Sequence, residues 1–289
     1  MNTGIIGLGI MGSAIARNLV AAGHRVAGFD TDPAALGRAS GTGVRAVASS
    51  AEATAAAQVL LTSLPGEQAL ADTVSALEAS GAAREKGLVL AELSTLPLAA
   101  KLDARRRLAA IGIEMLDCPL SGTGAQAVTR DLTVYASGDR GAYERCTDVF
   151  GGFAARSLHL GEFGNGSKMK FVANLLVAIN NVAAAEAMAL AERAGLDPEL
   201  TVQTIVQGAG TSRVFELRAP LMARRSYVPA TMKLEIWKKD MAIIGEFAAA
   251  LGARTPLFAA TDPIYRAALA RGPQQDTAAV FEVLSGPAL

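Results

Sequence analysis

An α/β domain built on a parallel sheet, followed by an all-α domain, is the fold class this 289-residue sequence predicts. Three observations carry that prediction. Short apolar runs alternate with helical patterns through the first half, as they do where helices cover both faces of a parallel sheet. A glycine cluster sits at the first strand-to-helix junction. Strand signals stop near residue 160, where Gly161, Gly164 and Gly166 group together.

In chain order, the apolar run 4–8 predicts the first strand and 12–22 the first helix. Residues 25–30 follow as a strand. Asp32 and Pro33 open the next helix, with the acid as N-cap and the proline in the first turn. The runs 59–63 and 88–93 read as buried strands, and 113–116 and 132–136 as later ones. Residues 167–194 predict one long helix with Gly195 as its C-cap. The rest is helical, broken at Gly208-Ala209-Gly210, Pro220, Pro229, Gly252, Pro256, Pro263 and Gly272-Pro273. No repeat of fixed period occurs. The expected division is 1–161 and 162–289, with the long helix joining the two domains and the cleft between them as the expected ligand site.

Composition excludes several classes. Hydrophobic residues make up 51% of the chain and mean hydropathy is +0.30, too apolar for a disordered protein. Lys+Arg and Asp+Glu both number 27, with no basic block, which argues against a nucleic-acid partner. The best membrane-span candidate, 171–190, contains Asn174, Asn180, Asn181 and Glu186, so it reads as a helix buried in protein. No basic leader or cleavage site precedes the first strand, and Cys118 and Cys146 lack metal-ligand spacing. A cytoplasmic protein with two thiols, no membrane and no metal is the expectation. His24 and His159 have no acidic partner at evident spacing, which argues against a histidine relay, and His24 is expected at the end of the first helix.

Gly7, Gly9 and Gly12 form a G-x-G-x-x-G pattern at that first junction. The first glycine permits a tight turn, the second lets a pyrophosphate approach the backbone, and the third lets helix and strand pack closely. The helix N-terminus then presents free N–H groups to the phosphates. Asp30, eighteen positions after Gly12, ends the next strand. A carboxylate there accepts from a ribose 2′-hydroxyl and repels a 2′-phosphate, favouring NAD. Arg25 and Arg38 lie near enough in sequence to leave NADP open. Together these signs predict an N-terminal Rossmann dinucleotide-binding domain.

Four separated motifs make the chain resemble the β-hydroxyacid dehydrogenases over essentially its whole length. They are Gly7-Leu8-Gly9-Ile10-Met11-Gly12, with Asn18-Leu19 and Gly23-His24 after it; Asp117-Cys118-Pro119-Leu120-Ser121-Gly122-Thr123, similar to the family's D-A-P-V-S-G-G; Gly164-Asn165-Gly166-Ser167-Lys168-Met169-Lys170 with Asn174; and Lys239-Asp240. The resemblance implies Lys170 as catalytic acid/base and Asn174 as its companion. It implies substrate contacts at Ser121, Gly122, Thr123 and Asp240. Cofactor contacts are implied at Gly7, Leu8, Gly9, Ile10, Met11, Gly12, Asp30, Leu64, Pro65, Thr95 and Lys239. It further implies a homodimer or homotetramer acting on a small anionic hydroxy acid or semialdehyde. Thr123 departs from the family's second glycine and puts the substrate in doubt, not the reaction. Residues 208–212 and 278–281 look closest to the threonate dehydrogenase branch, whereas 164–170 look closer to the glyoxylate reductase branch.

The chemistry agrees with these roles. Hydride exchange with a nicotinamide needs one group to hold the substrate oxygen's proton and another to hold its anion. Lysine titrates near 10.4, and burial or a cationic neighbour such as Lys168 lowers that value. Asn174 follows Lys170 by four residues, on the same helix face. Two alternatives stand beside this reading. One is an imine reductase of the same architecture, a group that usually lacks this lysine. The other is a non-catalytic NAD-binding protein, which would need neither Lys170 nor Ser121.

Overall fold

The computed structural model describes residues 1–55, 57–81 and 87–286. The last three residues of the expected 162–289 domain lie outside them. The chain forms two compact units, Met1–Lys170 and Phe171–Leu289.

The first unit holds six parallel strands: β1 (Asn2–Ile6), β2 (Arg25–Phe29), β3 (Arg45–Ala46), β4 (Val59–Thr62), β5 (Val89–Glu92) and β6 (Glu114–Asp117). Their order is β3-β2-β1-β4-β5-β6. Helices α1 (Ile10–Ala21), α2 (Pro33–Ser40), α3 (Ser50–Ala55), α4 (Glu67–Ser80) and α5 (Leu98–Ala110) connect them. Two apolar clusters form its core, one including Ile5, Leu8, Ile15, Leu61 and Phe150, the other Ile6, Leu60, Leu77, Leu90 and Met115. The first strand ends at Ile6 rather than residue 8, because Gly7 turns the chain with φ +91. Asp32 caps α2 as expected, its side chain accepting from Ala34 N at 2.9 Å.

Strand register aligns one row across this sheet. Ile6 pairs with Phe29 and with Thr62, Thr62 with Glu92, and Glu92 with Asp117. Residues just beyond this row therefore share one edge, the carboxyl edge. Strand order reverses direction there between β1 and β4, the place where open α/β sheets bind ligands.

A second sheet follows, formed by β7 (Leu120–Ser121), β8 (Thr133–Ala136) and β9 (Arg156–His159), with β8 central. The predicted strand at 132–136 belongs here, not to the main sheet. Neither β7 nor β9 is evident in the sequence. The first is two residues long, and the second alternates exposed and half-buried positions at a sheet edge. Helices α6 (Gly124–Val128) and α7 (Arg140–Phe153) complete this part.

Helix α8 (Asn165–Arg193) begins in the first unit and runs on through the second. It ends in a left-handed Gly195, φ +76, with Gly195 N donating to Glu192 O and Leu196 N to Ala191 O, each at 3.0 Å. This pairing satisfies the last carbonyls. The helix is long and apolar enough to cross a membrane by composition. In this fold Phe171, Ala178, Val182 and Met188 pack into the second unit's core, and Asn181 donates to Tyr265 Oη and Thr277 O at 2.9 Å each. Helices α9 (Pro198–Val206), α10 (Arg213–Ala223), α11 (Leu234–Ala250), α12 (Pro256–Arg271) and α13 (Phe281–Leu284) build the rest. Among the described residues, the second unit has no strand.

Candidate active site

The glycine loop forms a cradle at the end of β1. A Cβ on Gly12 would lie 1.9 Å from Gly7 O, so only glycine lets α1 start this close to the strand. A Cβ on Gly9 would meet nothing within 4 Å, so the loop backbone borders open space. Gly9 is the N-cap of α1, and the N–H groups of the first turn extend from it. Ile10 is exposed and Met11 half-buried, whereas Leu8 is buried beneath the loop. This cradle suits a pyrophosphate. Gly12→Ala is expected to weaken NAD binding by about fivefold or more, since overpacking a tight contact costs about 1–3 kcal/mol. Titration of the purified variant checks it, and wild-type affinity would remove the argument.

Asp30 stands at the carboxyl edge after β2. Its Oδ2 accepts from Leu8 N at 2.5 Å and its Oδ1 from Asp32 N at 2.8 Å. A carboxylate has about four acceptor sites, so capacity remains for a ribose hydroxyl. Arg38 pairs on the surface with Asp32 at 3.7 Å. At the ends of β4 and β5, Leu64 N donates to Ser94 Oγ at 2.7 Å, bringing Leu64, the exposed Pro65 and the half-buried Thr95 to the same edge.

The Asp117–Thr123 segment adjoins the cradle. Ser121 and Gly122 are half-buried, and Gly122 has φ +127. Thr123 N is committed elsewhere, donating to Gln126 Oε1 at 3.1 Å in a capping box that opens α6. Thr123 thus spends its backbone N–H on a helix start. A Cβ on Gly124 would reach within 2.6 Å of Ile10 Cγ2, so this segment touches the glycine loop. Asn18 Nδ2 donates to Ala127 O at 2.7 Å and ties α1 to α6.

The start of α8 is clamped to β6 and β8. A Cβ on Gly166 would come within 2.2 Å of Tyr135 O, which explains the glycine. Gly166 N donates to Ser137 Oγ at 2.9 Å, and Ser167 N to Asp117 Oδ2 at 2.7 Å. Lys170 follows, 8% exposed, while Lys168 is exposed and donates to Asn165 Oδ1 at 3.1 Å. Asn174, one turn after Lys170, is buried and donates from Nδ2 to Asp240 Oδ2 at 3.1 Å. Lys239 Nζ lies 3.8 Å from Asp240 Oδ1. Asn174, Lys239 and Asp240 thus form one cluster in the second unit, with Asp240 holding the asparagine amide.

Sequence reasoning missed Lys101 and Glu92. Both are fully buried, and Lys101 Nζ lies 2.6 Å from Glu92 Oε2 and 2.8 Å from Asp117 Oδ1. Only the long-range register shows that these residues meet. Both thiols are buried. Burial, then the charge of Asp117, raises Cys118 well above its ordinary value of 9.0, and burial raises Cys146 to about 12. His24 closes α1 through its backbone, N to Leu19 O at 3.0 Å. Its ring does have an acid within reach, Asp148 at 3.9 Å, which sequence spacing did not reveal.

The chain is similar to known proteins over nearly its whole length. The family model described as the NAD binding domain of 6-phosphogluconate dehydrogenase matches residues 2–161. The one described as NAD-binding of NADP-dependent 3-hydroxyisobutyrate dehydrogenase matches 164–284. L-threonate dehydrogenase of Cupriavidus necator is 34% identical over 287 residues, 99% of this chain and 96% of that one. The chain belongs to the β-hydroxyacid dehydrogenases. These are NAD(P)-dependent oxidoreductases of hydroxy acids. The solved Mycobacterium tuberculosis 3-hydroxyisobutyrate dehydrogenase with L-serine superposes on this β-hydroxyacid dehydrogenase with TM-score 0.88 at 28% identity, covering 99% of each chain. An imine reductase of Streptomyces aurantiacus reaches 0.64 at 20% identity, over 99% of this chain and 100% of that one, and shows shared fold alone.

Proposed function

We propose that this chain transfers a hydride between NAD and a small β-hydroxy acid or its semialdehyde, with Lys170 as the acid/base. The observation that carries the proposal is the buried Lys170–Asn174 pair on one helix, its amide held by Asp240. Bound nicotinamide supplies the hydride chemistry. Gly7–Gly12 hold its pyrophosphate and Asp30 its ribose, with Leu64, Pro65, Thr95 and Lys239 as further contacts. Ser121 Oγ and Gly122 N–H bind the substrate carboxylate, while Thr123 shapes the turn. Lys170 Nζ takes the hydroxyl proton on oxidation and returns it on reduction. Asn174 orients the reacting oxygen, and Asp240 orients Asn174. The enzyme works as a homodimer or homotetramer in the cytoplasm, without nucleic acid or membrane. Exposed Val172, Leu176 and Leu190 on α8 give it apolar surface for a second copy.

The test is steady-state kinetics with NAD and NADP across 3-hydroxyisobutyrate, glycerate, threonate, 4-hydroxybutyrate, glyoxylate and succinic semialdehyde, with cyclic imines included. Hydroxy-acid turnover with NAD preferred is the expected result. Asp30→Ala should shift the NADP/NAD ratio of kcat/KM upward by about tenfold, the worth of one 1.4 kcal/mol contact. Turnover of cyclic imines alone would replace the proposal with the reductase reading. NAD binding without any turnover would favour a sensor.

A further inference from the structure

The least expected feature of the first unit is its buried charge. Lys101 on α5, Glu92 at the end of β5 and Asp117 at the end of β6 are each 0% exposed. An ammonium has three N–H donors. Lys101 donates to Asp117 Oδ1 at 2.8 Å and to Ser94 O at 2.7 Å, and its ammonium forms an ion pair with Glu92 Oε2 at 2.6 Å. Asp117 in turn accepts from Ser167 Oγ at 2.8 Å and Ser167 N at 2.7 Å, and Ser137 Oγ lies 3.3 Å from its Oδ2. Ser137 Oγ itself accepts from Gly166 N. Two orphan N–H groups of the first turn of α8 are thus capped by side chains from elsewhere in the unit.

Stability alone does not call for such a network, because well-packed apolar residues replace buried ion pairs at little cost. Its position suggests another purpose. Ser94 precedes Thr95, Asp117 leads into Ser121 and Gly122, and Ser167 stands three residues before Lys170. The Lys101 ammonium holds the first two of these segments directly and the third through Asp117.

The geometry points to Lys101 as a positioning residue that, through Asp117 and Ser167, sets where Lys170 stands relative to the substrate segment. This rests on Lys170 being the acid/base. An α-helix rises about 1.5 Å per residue, so the clamp acts one turn from Lys170. A displacement of about 1 Å at a reacting group costs about 10²-fold in rate. Loosening the clamp therefore reaches turnover without touching substrate or cofactor.

The test uses the full-length enzyme with Ser167→Ala and the charge-balanced double variant Lys101→Met/Glu92→Gln. We expect kcat to fall at least threefold in Ser167→Ala, and further in the double variant. In Ser167→Ala, KM and the NAD dissociation constant should stay within about threefold of wild type. The apparent pKa of the kcat–pH profile should move, and amide hydrogen exchange over 165–170 should quicken. A kcat within threefold of wild type in Ser167→Ala, with an unmoved pH profile, would overturn the inference even if melting temperature dropped. Ser167→Ala decides alone if the double variant does not fold. Lys170→Ala is run alongside. Full turnover there sinks the acid/base reading and this inference with it. A dead Lys170→Ala beside normal clamp variants sinks the inference alone.

Discussion

Replacing Lys170 with alanine should lower kcat by about 10²–10⁴-fold, the usual contribution of a positioned general acid or base. NAD affinity should stay within about threefold, because Lys170 lies on α8 and the cradle is built from Gly7–Gly12 at the end of β1. The variant should fold, since truncating a side chain that is 8% exposed leaves the clamp at Gly166 and Ser167 in place. Small primary amines added to the assay should restore part of the rate by replacing the missing Nζ. Stopped-flow measurement of nicotinamide absorbance separates loss of chemistry from slow product release. Turnover within a few-fold of wild type would remove Lys170 from the mechanism.

Lys101→Met should carry the largest stability loss in the first unit, about 3–5 kcal/mol, the cost of breaking a buried pair by removing one partner. Methionine fills most of the volume, so packing changes little. What changes is that Glu92 and Asp117 then share a dry site without their cation. Burial alone would lower the lysine's affinity for its proton, but the adjacent Asp117 and Glu92 outweigh it and hold Lys101 above its ordinary 10.5. The sign follows from that direction. A group raised in the folded state stabilises fully below its unfolded value, and that contribution fades only as pH climbs through the folded one. The contribution of the Lys101 charge in the wild type should therefore be constant across neutral pH. Adding Glu92→Gln should recover part of it. Denaturant unfolding of the three proteins measures both effects, and a Lys101→Met variant within about 1 kcal/mol of wild type would contradict the account.

The main sheet was legible because buried parallel strands are continuous apolar runs. Residues 59–63 and 88–93 became β4 and β5, the first shorter by one residue at its end and the second by one residue at each end. Glycine spacing located the cradle, since a close approach of backbone to backbone leaves no choice of residue at Gly12. The three-stranded sheet was not legible, because β7 has two residues and β9 lies half-exposed. The capping box that Thr123 forms at the start of α6 was not legible either. A local helix start of five residues carries too little periodicity to be seen.

What the chain determines by itself is local: which residues turn, which alternate, which helix face pairs Lys170 with Asn174. Those depend on periods of a few residues and on backbone sterics, which the sequence spells directly. Only the tertiary structure decides that Lys101, Glu92, Asp117 and Ser167 meet, from four elements between residues 92 and 167. A lysine and two acids far apart in sequence look like ordinary surface charge. They become a fully buried cluster because strand register brings Glu92 beside Asp117 and α5 carries Lys101 over both. Long-range pairing of that kind has no local signature, since its energy comes from desolvated charges that meet only after the sheet has formed.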